Sequence, residues 1–147
     1  MKALHSVLAA MLLVFAIQSI SYAQSSNVTE SLKNHFNETV QAVHETDDVD
    51  EKRTILDDSF NRMITALNRI ESLATLTEEE NSVLLSYKFD LTEKQSELNG
   101  MDGFDEVMDD DLNDFSDYSQ NFIEQANRTL TIGVSTAVLI LIILLLI

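Results

Sequence analysis

The chain has 147 residues, 25 of them acidic and 9 basic, for a formal net charge of −16, and it contains no cysteine, proline or tryptophan. That charge excludes nucleic acid as a partner and disfavours anionic lipid headgroups, whose phosphates are repelled. The missing cysteines exclude disulfide staples and thiol chemistry. With only three glycines and no proline to break helices, and no sustained period-two alternation, the expected class is all-α.

The first element is a leader. Lys2 supplies a basic start, Val7–Ile17 is an unbroken apolar stretch, and Ser21-Tyr22-Ala23 has the small-x-small pattern of a signal-peptidase site. Residues 1–23 are read as a cleaved signal peptide, which places the domain outside the cytoplasm, on a periplasmic or extracellular face. Residues 24–129 then form one exported acidic helical domain.

Within that domain the pattern predicts an antiparallel helical hairpin or bundle of about four helices. Asn27-Val28-Thr29-Glu30 resembles an N-cap with a glutamate three residues on, and Val28, Leu32, Phe36, Val40 and Val43 follow as one stripe. The acidic patch 45–50 breaks this helix. In the second helix Val49, Leu56, Met63 and Ile70 recur every seven residues, with Phe60, Leu67 and Ala74 interleaved. Such a coiled-coil-like stripe packs on a partner helix at a shallow angle. Thr75 or Thr77, ahead of three glutamates, caps a third helix carrying Leu84, Tyr87, Leu91 and Leu98. Acid–base pairs four apart, Asp48/Lys52, Asp58/Arg62, Asp90/Lys94 and Glu124/Arg128, are expected to support these helices.

Asn99-Gly100-Met101-Asp102-Gly103 is the clearest turn, because asparagine and glycine tolerate positive φ. A fourth helix is expected to follow, with Phe104, Met108, Leu112, Phe115, Phe122 and Ala126 on one side, and to continue into the apolar run 130–147. As one helix those 18 residues span about 27 Å at ~1.5 Å each, close to a ~30 Å hydrocarbon core. Residues 139–147 are all Leu or Ile, so no polar face exists. A C-terminal single-pass transmembrane anchor is expected, in contact with membrane lipid. No Lys or Arg follows the run, against the positive-inside rule. Its orientation is then set by the leader, or the run is a processing signal exchanged for a lipid anchor near 114–119, where Phe115 and Tyr118 are bulkier than such a site prefers. Thr129, Gly133 and Ala137 repeat every four residues and form a candidate small-residue contact between membrane helices.

Candidate chemistry is sparse. Eight carboxylates lie between Asp102 and Asp117 with no basic residue among them. Asp109, Asp111, Asn113 and Asp117 fall at calcium-loop positions one, three, five and nine, but Asp114 replaces the required glycine and Gln120 the bidentate glutamate. The same carboxylates fit the solvated side of a helix, from which they radiate. His35 and His44 are nine apart and point to opposite sides of a helix, so they cannot share a metal. Asn27, Asn37 and Asn127 head N-x-Ser/Thr triplets at a frequency near chance. No activated nucleophile, phosphate loop or cofactor motif is present, so neither enzyme chemistry nor a cofactor is expected.

The helix-packing residues singled out are Leu56, Phe60, Met63, Leu67, Ile70, Leu84, Tyr87 and Leu91. A core of this size without staples is marginal, and association would help it. The expected function is that of a non-enzymatic, membrane-anchored interaction or structural protein of the cell envelope, working through helix–helix association with itself or an envelope partner. The alternative is a cation- or ligand-binding surface module built on 102–117.

Overall fold

A computed structural model describes residue 30 and residues 33–146. The expected signal peptide, residues 1–23, and Asn27, Val28 and Leu32 lie outside the described residues. Five α-helices and a single 3-10 turn make up the described chain: α1 (33–45), α2 (Val49–Leu73), α3 (Glu78–Asn99), the turn Asp109–Asp111, α4 (Leu112–Gly133) and α5 (Thr136–Leu146). No strand occurs among the described residues, and the chain is all-α.

The helix starts follow local rules. Asp48 accepts a hydrogen bond from Glu51 N and caps α2. Thr77, rather than Thr75, caps α3 in a reciprocal box: its hydroxyl takes Glu80 N, while the Glu80 carboxylate takes Thr77 N. Gly100 ends α3 at φ 63, where a side chain is strained and its Cβ would lie 2.8 Å from that of Glu106.

α1, α2, α3 and α4 run alternately up and down. The turn at 46–48 reverses α1 onto α2, where the Phe36 and Phe60 rings lie 5.7 Å apart and the Thr39 and Ser59 hydroxyls 2.9 Å apart. α3 returns along α2 with Lys88 donating to Glu71. α4 runs back along α3, joined by Tyr87–Asn127, and closes on α1 through Lys33–Glu124, Gln120–Asn37 and His44–Asp117. The stripes meet inside as expected: Phe36, Val40 and Val43; Leu56, Phe60, Met63, Leu67 and Ile70; Leu84, Tyr87, Leu91 and Leu98; Leu112 and Phe115 are all buried. Val49 begins the second stripe but is exposed, at the first residue of α2.

Three expectations are corrected. The fourth helix begins at Leu112, not near Phe104, so Phe104 and Met108 lie in a loop and are exposed. A helix there would stack Asp105 on Asp109 and Glu106 on Asp110, like charges four apart. The four-apart pairs are not formed as ion pairs either. Asp48 is occupied as a cap, and Lys52, Lys94 and Glu124 turn to Asn113, Glu97 and Lys33.

The third correction concerns the last helix. It does not pass straight through the apolar run: α4 ends at Gly133, Val134 is extended, and α5 starts anew at Thr136. α5 is 11 residues, about 16 Å at ~1.5 Å per residue, and folds back along α2, reaching Asp58 and Arg62 with Leu145 and Leu146. No helix among the described residues is long and apolar enough to cross a membrane. The break has a packing cause. Gly133 brings α4 so close to α3 that a Cβ there would sit 2.6 Å from Val83 Cγ2. The chain then turns to lay Val138, Leu139 and Ile142 on the core.

Candidate functional site

The acidic loop 101–111 is organised by one cation from α2. The Arg53 guanidinium donates to Leu98 O at 2.6 Å and Val107 O at 2.7 Å, and pairs with Glu106 at 3.2 Å and Asp109 at 3.1 Å. It therefore ties the end of α3 to the loop and to the 3-10 turn before α4. The calcium-loop candidates are drawn to separate side chains. Asp109 meets Arg53, Asn113 Oδ1 accepts from Lys52 Nζ at 2.7 Å, Asp117 lies 3.0 Å from His44 Nε2, and Asp111 sits at the exposed start of α4. Among the described residues no group of three His, Cys, Asp or Glu side chains is placed to hold a metal ion. His35 and His44 lie apart on α1. Burial lowers the His35 pKa, and its Nε2 has no hydrogen-bond partner among the described residues.

A second constellation lies where the apolar tail leaves α4. The Glu80 carboxylate uses one oxygen on Thr77 N at 2.9 Å and the other on Ser135 N, also at 2.9 Å. One anion thus serves the free N–H groups at the start of both α3 and α5, where helix dipoles favour negative charge. The backbone hydrogen bond from Thr77, and then those from Ser135, hold the Glu80 pKa down at about 2. Because this folded value lies below the ordinary 4.5, the linked stability is present above pH 4.5 and disappears as pH falls toward 2. The difference in melting midpoint between the native chain and Glu80→Gln is expected to be full at pH 6 and to close by about pH 2. A difference that stays constant over that range would show that Glu80 acts through shape alone.

The small-residue series is taken apart by the same turn. Thr129 is exposed on α4, Gly133 faces Val83 of α3, and Ala137 is exposed on α5 beyond the break. After Thr136 α5 is wholly apolar, AVLILIILLL, and the bundle covers it incompletely, with Ile140, Leu141, Ile143, Leu145 and Leu146 partly buried against the core. Val138, Leu139 and Ile142 are buried, whereas Ala137 and Leu144 are exposed, Leu144 by 66%.

Two buried polar groups had no periodic signal. Lys94 lies on the apolar side of α3, only 7% exposed, bound to Glu97 and to Tyr118 and set over the Tyr118 and Phe122 rings at 4.6 and 5.3 Å. Burial alone would lower its pKa, but the hydrogen bonds to Glu97 and Tyr118 and their charge outweigh burial and raise it. Asn127 is 2% exposed and accepts the Tyr87 hydroxyl at 2.6 Å, so its triplet is closed to a glycan in this fold. Burial, with the Asp90 charge second, pushes the Tyr87 phenol up.

Sequence reasoning missed Arg53, Lys94 and the double use of Glu80. Only Glu80 carried a signal, as the last residue of a Thr-x-x-Glu box. Compared with family models, with curated proteins and with solved structures, the chain matches none.

Proposed function

We propose that the chain is an exported, membrane-tethered interaction protein whose residues 130–147 form the tether and whose helical domain associates with itself or an envelope partner. The observation that carries this reading is α5, a helix without a polar face that the bundle buries only in part, leaving Ala137 and Leu144 in water. A helix apolar all round belongs in a large core or in lipid, and here the core takes up Val138, Leu139 and Ile142 fully but leaves Leu144 exposed.

In this proposal the run has two packings. Docked on α2, it is the broken segment described above. In a bilayer, Val134 takes helical angles, Ser135 N leaves Glu80, and 130–147 becomes one helix of spanning length. The signal-peptide pattern of residues 1–23 and the strong negative charge fit a domain held away from anionic headgroups. The face that docks a partner is the side of α2 beneath Leu145 and Leu146, around Asp58, Arg62 and Arg69, uncovered when α5 leaves.

Ala137→Lys separates the two packings. Ala137 is exposed in the bundle, so the variant is expected to melt within about 0.5 kcal/mol of the native domain. At the centre of a span the same lysine costs about 3 kcal/mol, against roughly −3 to −5 kcal/mol from the nine terminal Leu/Ile residues. Membrane retention after alkaline extraction is therefore expected to fall sharply for Ala137→Lys and to survive in Ala137→Leu. Equal retention of both variants, or ready extraction of the native chain, defeats the tether. Crosslinking of the native protein in its membranes tests association, and a result of monomer alone would remove that half of the proposal.

A further inference from the structure

We infer that the groove between α3 and the loop that follows it is a binding site for a quaternary ammonium group. Phe89, Thr92, Glu93 and Ser96 lie at i, i+3, i+4 and i+7 on one side of α3, and Asp102 and Phe104 close the groove from the loop. The cavity is about 300 Å³, the lower end of the range for small-ligand sites, about 300–1,000 Å³. Phe89 is 68% exposed and Phe104 is exposed as well, so two rings border open space instead of core.

The lip of the groove is built. Gly100, Asp102 and Gly103 all have positive φ, and Asp102 is the one non-glycine residue among the described residues to do so. Ser96 Oγ donates to Asp102 Oδ2 at 2.7 Å, which holds that carboxylate at the groove. Neither Asp102 nor Glu93 makes an ion pair among the described residues. The adjacent Lys94 is turned inward to Glu97 and Tyr118.

Charge and surface together select the ligand. Two carboxylates outside any ion pair attract a cation, and the net charge of −16 raises its local concentration. Phenyl walls cannot replace the oxygen ligands of a calcium or magnesium ion. They do suit a weakly hydrated cation, whose methyl groups meet the negative faces of aromatic rings.

The test uses the full mature chain in a maltoside detergent with carbon-13-labelled phenylalanine, titrated with tetramethylammonium chloride at constant ionic strength. The Phe89 and Phe104 ring resonances are expected to shift and saturate at about 1–10 mM half-saturation. Phe89→Ala, at an exposed position, and Glu93→Gln/Asp102→Asn are each expected to weaken binding at least about fivefold. A shift that never saturates, one unchanged in Phe89→Ala, or one matched by neutral tert-butanol overturns the site. Nanodiscs of phosphatidylcholine against phosphatidylglycerol locate the source. Ring shifts in phosphatidylcholine without added salt identify a lipid headgroup, and shifts only with free tetramethylammonium identify a soluble ligand; either pattern supports the site.

Discussion

Arg53→Ala is expected to lower the unfolding free energy by about 3 kcal/mol, with the loss centred on the loop after α3. The guanidinium is 18% exposed and its two shortest hydrogen bonds go to backbone carbonyls, those of Leu98 and Val107. Removing the donor strands both acceptors, at about 1–3 kcal/mol each when they stay buried. The pairs with Glu106 and Asp109 add less, because both carboxylates are more than half exposed. Arg53→Lys is expected to recover only part of the loss, since a single ammonium nitrogen replaces the two planar nitrogens that separately reach Leu98 O and Val107 O. Urea denaturation measures the total, and amide exchange over residues 100–111 locates it. A loss below about 1 kcal/mol, or exchange that rises equally everywhere, would contradict the role given to Arg53.

Phe60→Ala is expected to cost about 3–5 kcal/mol, the range for emptying a buried aromatic site. Phe60 is fully buried and tilts against Phe36 of α1, with their planes at 41°. Its loss therefore loosens α1 from α2 as well as leaving a cavity. In a small domain such a deficit is a large fraction of the whole stability, so the variant is expected to be largely unfolded at 37 °C. Val49→Ala is the matched control. Val49 opens the same seven-residue series but is exposed, and its truncation is expected to stay within about 0.5 kcal/mol. Similar losses in the two variants would mean that the periodic stripe, and not burial in the bundle, governs stability.

The sequence by itself determined the helical class, the buried stripes of α2 and α3, a threonine cap ahead of the glutamates that open α3, and the turn at Gly100. These are decided within three or four residues, by capping, by periodicity and by the φ angles a residue tolerates. Tertiary structure decided the rest. Arg53 finds its acceptors 45 and 54 residues away, and nothing near it in the chain announces them. Lys94 is buried because Glu97, Tyr118 and Phe122 surround it, although its sequence neighbourhood reads as a solvated helix. The fourth helix starts late because Arg53 holds the loop carbonyl and carboxylates in place and because stacked carboxylates oppose a helix there. The apolar tail is the sharpest case. Local pattern describes one continuous helix, while the closeness of Gly133 to Val83 and the Ser135–Glu80 hydrogen bond turn it back onto α2. An apolar run states only that it must leave water; which apolar surface receives it depends on what the rest of the fold, or a bilayer, offers.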